Sequence, residues 1–166
     1  MQRITKVLIA NRGEIACRIA RTCRRLGVAV ATVHSSADRS ALHVREIGES
    51  VEIGGPAAAE SYLRIDAILA AASRVGADAV HPGYGFLSEN PAFARAVEAA
   101  GLVFIGPTAA TIERIGGKAS AKREAARAGL PVIAGSDGGL ADPAAVAAQV
   151  RGMRLPVLLK AVAGGG

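Results

Sequence analysis

The sequence has no tryptophan, and its two tyrosines and three phenylalanines make up only 3% of 166 residues. So few rings argue against binding single-stranded nucleic acid by base stacking. Cysteine is nearly absent as well, with only Cys17 and Cys23. If residues 13–26 form a helix, six residues of spacing separate the two thiols by about 9 Å and turn them to different faces. A bridge between them would require unfolding that helix. No CxxC or HxxxH pair occurs, so the spacings of the common metal sites are missing. Long apolar runs are missing too. The longest uncharged stretch, residues 99–112, is fourteen residues interrupted by Gly and Pro, short of the roughly 18 that a membrane span needs. Near the start only residues 7–10 are apolar before Asn11 and Arg12, whereas a secretory signal needs a core of about 7 or more. These absences lead us to expect reduced cysteines, no metal site, no membrane span and a cytoplasmic location.

What is present is the composition of a folding chain: 51% hydrophobic and 20% charged residues. The net charge of +6 lies entirely in residues 1–40, which hold eight Lys/Arg against two Asp/Glu. Basicity is therefore local, and nucleic acid is disfavoured as a partner even though Arg18, Arg21, Arg24 and Arg25 share a helix. A solvated face or a subunit contact are the other readings of those arginines.

Short apolar runs alternate with helical periodicity. Residues 7–10, 29–34, 51–53, 77–80 and 102–105 read as strands. Residues 13–26, 65–75 and 91–100 read as helices, ended by Gly27, Gly76 and Gly101, with another helix following Gly106-Pro107-Thr108. Asn90-Pro91 is an N-cap followed by proline at the first helical position. In the first helix Ala16, Ile19, Ala20, Cys23 and Leu26 should line the buried stripe. This alternation predicts an α/β fold with a Rossmann-like, doubly wound parallel sheet. Beyond Lys118 the texture changes. An Ala-rich helix at 119–128 ends at Gly129, strands are expected at 131–133 and 155–160, and Asp142-Pro143 opens a further helix. The terminal Gly164-Gly165-Gly166 follows the last strand, and glycine runs usually connect one element to another. We therefore expect a boundary near residues 107–130, dividing a first domain at 1–117 from the truncated beginning of a second at 118–166.

Four segments could carry chemistry. Ala10-Asn11-Arg12-Gly13-Glu14-Ile15-Ala16 joins a strand to a helix, where open α/β sheets bind ligands. Its single glycine is not a dinucleotide fingerprint, and a tight turn with a capped helix is the plainer reading. His81-Pro82-Gly83-Tyr84-Gly85-Phe86-Leu87-Ser88-Glu89-Asn90 follows another strand. It could shape a small-molecule pocket, or be a structured turn in which Phe86 and Leu87 plug the core and Asn90 caps the next helix. None of the three histidines has an obvious Ser/Asp partner. Lys160 with the glycine run could cradle phosphate, or be a flexible turn. Lys118 follows Gly116-Gly117 at a helix start, where a cation is unfavourable unless an anion is near; a solvated surface lysine is the alternative.

Taken in order and spacing, these segments resemble the N-terminal part of the biotin carboxylase family, the ATP-grasp subunit or domain of biotin-dependent acyl-CoA carboxylases. The ten residues from His81 to Asn90 are the most specific match, supported by residues 9–16, by Phe104-Ile105-Gly106-Pro107, by Lys118 and by Leu158-Leu159-Lys160. In subtype the chain is most similar to methylcrotonyl-CoA or geranyl-CoA carboxylase subunits. The resemblance implies ATP-dependent carboxylation of biotin on a carrier domain, with bicarbonate and magnesium. It implies that Lys118, Lys160, Gly164, Gly165 and Gly166 bind ATP and that Tyr84 and Gly85 face the biotin pocket. Residues 11–14 match a signature whose role is expected to be largely structural. It further implies a biotin carboxyl carrier domain, a carboxyltransferase subunit and a homodimer as partners. The family's catalytic and magnesium-binding groups lie beyond residue 166, so the chain alone is expected to be inactive and to hold no tightly bound cofactor. Two departures stand out: Gly117 where the family usually has Asp or Ser, and Ile47-Gly48-Glu49-Ser50 in place of Ala-Asp-Glu/Ala. Another ATP-grasp ligase, or a non-catalytic assembly module, are the competing readings; the loop from His81 to Asn90 speaks against the first.

Overall fold

The computed structural model describes residues 3–136, 138–140 and 142–160. The chain divides after Ala110 into two compact units.

The first unit is a five-stranded sheet with flanking helices. Its strands are β1 (Lys6–Ile9), β2 (Ala29–His34), β3 (Ser50–Glu52), β4 (Ala79–His81) and β5 (Val103–Phe104). They pair in the order β3-β2-β1-β4-β5, and every pairing is parallel. The α/β reading of the sequence is thus observed. Burial explains the composition of these strands. Val7, Leu8 and Ile9 of β1 are all buried, as expected of a central parallel strand covered on both faces.

Between the strands run α1 (Gly13–Arg25), α2 (Leu42–Ile47), α3 (Ile65–Arg74) and α4 (Pro91–Ala99), with single 3₁₀ turns at Ser36–Asp38 and Ala58–Glu60. Helix α1 packs on α2 and α3 on α4. Asn90 caps α4, its Oδ1 accepting from the N–H groups of Ala92 and Phe93, as expected of an Asn-Pro start. The expected helix-ending glycines Gly27, Gly76, Gly101 and Gly129 all take left-handed backbone. The α1 stripe is shorter than its periodicity implies. Ala16, Cys17, Ile19 and Ala20 are buried, whereas Leu26, the helix's C-cap, is 72% exposed. Helix α2 was not read from the sequence; it is only six residues long, too short to show helical periodicity. Both cysteines are free, and burial pushes both thiols above their ordinary range.

The second unit contains α6 (Lys118–Arg127) and α7 (Pro143–Arg151), after α5 (Ala109–Ile115), which runs across the division. Asp142 caps α7 by accepting from the Ala145 N–H. The strands expected at 131–133 and 155–160 are not formed; residues 131–136 and 157–160 run without regular structure. The reason is physical: a strand exists through a neighbour's hydrogen bonds, and no described segment pairs with either one. Pro131 and Pro156 also have no N–H to give to a ladder.

Candidate functional site

The strand order reverses between β1 and β4, so their C-terminal ends flank the crevice where such sheets bind ligands. Two loops meet there, one following each strand. The Ala10 N–H donates to the His81 carbonyl at 2.9 Å. Asn11, which is buried, donates through Nδ2 to the carbonyls of Pro82 at 2.7 Å and Tyr84 at 2.9 Å. A β-carbon on Gly83 would lie 2.6 Å from Asn11 Nδ2, and Gly83 has φ +68°, so only glycine fits there. His81 folds back on the same turn, its Nδ1 accepting from the Gly83 N–H at 3.0 Å. Burial holds its imidazole below the usual pKa. Around this junction Asn11, Arg12, Gly13, Glu14, Ile15, Tyr84, Gly85 and Phe86 line a cleft of about 370 Å³. Tyr84, mostly exposed, donates its hydroxyl proton to Glu14 Oε1 at 2.6 Å, which raises the phenol's pKa.

Both sequence readings of the His81–Asn90 loop are therefore partly realised. Leu87 is buried and Asn90 caps α4, while Tyr84 and Gly85 line a cleft. Phe86 is the correction. It is not a core plug; it is half-buried, has φ +42°, and stacks on Tyr62 with ring centroids 5.0 Å apart and planes 10° off parallel. The Arg12 guanidinium lies 5.3 Å from the Tyr62 ring centroid and 5.4 Å from that of Phe86. The Tyr62 hydroxyl donates to Asp38 Oδ2 at 2.7 Å and accepts the Ser35 N–H at 3.0 Å. Ser35 Oγ donates to the same carboxylate oxygen at 2.8 Å. Burial raises the pKa of Asp38, but hydrogen bonds from Tyr62, Ser35 and Arg12 outweigh it and hold the carboxyl below its ordinary range. Burial and the bond to Asp38 push the Tyr62 phenol up to about 12. Neither Tyr62 nor Asp38 was legible as a site residue, since both lie outside the motif loops; the one available signal was a lone aromatic in a chain with few rings.

In the second unit Lys118 and Lys160, distant in sequence, line the same cavity of about 460 Å³. Lys122 joins them, one helical turn along α6 from Lys118. Its Nζ donates to the Ser136 carbonyl at 3.5 Å. The other described lining includes Ala134, Gly135, Ser136, Gly138 and Gly139, but no carboxylate. Lys122 was missed by sequence reasoning, although the i,i+4 spacing from Lys118 was a usable signal. Gly117 is the N-cap of α6 and supplies no side-chain cap; its carbonyl accepts from Ser120 Oγ at 2.8 Å instead. Gly164, Gly165 and Gly166 lie outside the described residues.

On α1, Arg18 donates to Thr22 Oγ1, Arg21 to the Cys17 carbonyl and Arg24 to the Glu46 carbonyl, so the basic face is partly engaged within the unit. Among the described residues no group of three or more His, Cys, Asp or Glu side chains could hold a metal ion. No described helix is long and apolar enough to cross a membrane.

Comparison with known proteins matches residues 3–112 to the family model described as biotin carboxylase, N-terminal domain. The chain is 53% identical over 161 residues to a biotin carboxylase of Halalkalibacterium halodurans, covering 97% of this chain and 36% of that protein. It is 50% identical over 163 residues to the mitochondrial methylcrotonoyl-CoA carboxylase subunit alpha of Oryza sativa subsp. japonica, covering 98% and 22% respectively. Identities this close do not discriminate between subtypes. Among solved structures, the biotin carboxylase domain dimer of Hydrogenobacter thermophilus 2-oxoglutarate carboxylase, in complex with MgADP, ADP and bicarbonate, superposes with a TM-score of 0.90. It is 45% identical, and the match covers 100% of this chain and 36% of that one. The chain thus spans about a third or less of the length of these relatives.

Proposed function

The chain belongs to the biotin carboxylase N-terminal domain family, and on that premise we propose that it works as part of a biotin carboxylase, binding ATP phosphates and one wall of the biotin pocket. The observation that carries this reading is the convergence of Lys118 and Lys160, with Lys122, on one cavity. Cationic side chains gathered around a common space favour a polyanion there. In this reading bicarbonate oxygen attacks the γ-phosphorus and ADP departs with the bridging oxygen. Carboxyphosphate then yields carbon dioxide and phosphate, and the biotin ureido nitrogen adds to the carbon dioxide while its proton passes to the released phosphate. The lysines hold the phosphates in line and offset the charge that develops on them. Gly164, Gly165 and Gly166 are proposed to close over the nucleotide, and Tyr84 and Gly85 to face the ureido ring.

The described residues do not fit a magnesium site, because they bring no carboxylate cluster together. By itself the chain is proposed to bind without turnover. Its proposed partners are a carrier domain bearing biotin, a carboxyltransferase and a second copy of itself, in the cytoplasm.

The test is ATP hydrolysis by the full-length enzyme with bicarbonate and free biotin. Biotin-dependent turnover, abolished by Lys118→Met, is expected. ATP hydrolysis indifferent to both biotin and bicarbonate would overturn the reading.

A further inference from the structure

The cleft between the β1 and β4 loops has a back support that neither loop contains. Phe86 sits at φ +42°, a left-handed conformation uncommon for an aromatic residue and one that surrounding structure must hold in place. What holds it is the Tyr62 ring, stacked at 5.0 Å. Tyr62 itself cannot shift easily. It is 1% exposed, and its hydroxyl is fixed from two sides, donating to Asp38 and accepting from the Ser35 N–H. Arg12 closes the arrangement from the cleft side, covering both rings while its Nη1 lies 3.4 Å from Asp38. Tyr84, by contrast, is mostly exposed, and its side chain is tied to the protein through the bond to Glu14. Its backbone is held from two directions, by Asn11 Nδ2 donating to the Tyr84 carbonyl and by Phe86, anchored two residues on.

We propose that Tyr62 is a positioning residue: through the seat it offers Phe86, it sets where Tyr84 and Gly85 stand in the cleft, and so the fit of the cleft to its ligand. The ligand clause rests on the reading that this wall faces the biotin ureido ring; the mechanical clause does not. Packing alone predicts something different. A ring that merely fills space would lower stability when removed and leave Tyr84 where it is, so long as the sheet remained folded.

The sequence makes the test direct, because Tyr62 and Tyr84 are its two tyrosines. Tyr62→Phe and Tyr62→Leu each leave Tyr84 as the sole tyrosine, read as one ring signal by NMR with 13C-labelled tyrosine. With Tyr62→Phe, which keeps the stack, the Tyr84 signal should coincide with that of the wild type. Its ionisation should stay above the ordinary phenol value, as the Glu14 bond requires. With Tyr62→Leu the signal should move to the position of free tyrosine and ionise at the ordinary value. A Tyr84 signal that stays put in Tyr62→Leu, with the sheet amides intact, overturns the proposal. Should Tyr62→Leu fail to fold, Phe86→Gly removes the seated ring, suits the left-handed backbone and leaves the buried bonds of Tyr62 in place. The same displacement is expected there, and an unmoved Tyr84 overturns the proposal equally. In the full-length enzyme Tyr62→Leu should raise KM for free biotin several-fold, with KM for ATP unchanged and Tyr62→Phe near wild type. A displaced Tyr84 with unchanged biotin KM would uphold the seat and overturn the assignment of the cleft to biotin.

Discussion

Leu8, Ile9, Ile68, Val80, Phe93 and Val97 of the first unit are each essentially inaccessible to solvent. In the second unit α6 and α7 bury no residue at all, and Leu130, Ile133, Leu155, Leu158 and Leu159 stand exposed. Both units hold residues that bear on the proposed function, but they hold them differently. In the first, the cleft residues are fixed by buried bonds of Asn11 and by the Tyr62 seat. In the second, the lysines stand on one amphipathic helix and an irregular segment. The contrast shows that helices form from signals within their own stretch, whereas strands form only where a partner strand is supplied.

The sharpest way to break the contrast is to remove a core ring. Phe93, fully buried and edge-on to Phe104 at 5.8 Å, should cost about 3–5 kcal/mol on change to Ala. Leu158→Ala, at an exposed site, should stay within about 0.5 kcal/mol. Urea melts of both variants check the pair, and equal losses would erase the distinction.

Gly83→Ala comes next. Left-handed backbone and a 2.6 Å approach to Asn11 should together cost about 1–3 kcal/mol, whereas Gly138→Ala, with open space around it, should cost little. Thermal melts decide.

Acid should act on the first unit before the second. Burial depresses His43 and His81, so the unfolded state takes up protons first as pH falls. Their contribution is complete above about pH 6.5 and is lost as pH drops through their lower folded values. Asp38 and Asp78 are buried against the charged form, yet hydrogen bonding leaves both depressed. The donors are Tyr62, Ser35 and Arg12 for Asp38, and the N–H groups of Thr5 and Lys6 with the Thr5 hydroxyl for Asp78. Their contribution holds above about pH 4 and fades below it. Amide signals followed by NMR should show the sheet giving way while α6 keeps its helicity, and Asp38→Asn should flatten the lower window.

Two smaller changes probe the second unit. Lys122→Met should weaken tripolyphosphate or ATP binding about five-fold, roughly 1 kcal/mol, as titration calorimetry would show. Gly117→Asp should add a side-chain cap to α6 worth only ~0.3 kcal/mol. Ser120 Oγ must first move aside, because an added β-carbon would lie 2.9 Å from it. Helical circular dichroism on heating reports the gain.

Much of this was legible along the chain. The five strands of the first unit, the capped starts at Asn90 and Asp142, the helix-ending glycines and the loop from His81 to Asn90 all carry local signals: apolar runs, side-chain acceptors beside free N–H groups, and residues free to take left-handed backbone. These depend on neighbours a few residues away, so periodicity and spacing display them. Other features depend on residues brought together across the fold. Asn11 meets Pro82 and Tyr84 only because β1 pairs with β4. Tyr62 meets Phe86, Arg12 and Asp38 only once the loops beyond β1, β2, β3 and β4 converge. The segments at 131–133 and 155–160 look like strands by composition but lack a described ladder. The sequence by itself determined the strands and the longer helices of the first unit and the two loop motifs, because caps, turns and apolar runs act over short range. The tertiary structure alone decided which strand neighbours which, what stands behind the cleft and which apolar segments stay unpaired, because pairing and burial are properties of contacts that no single stretch contains.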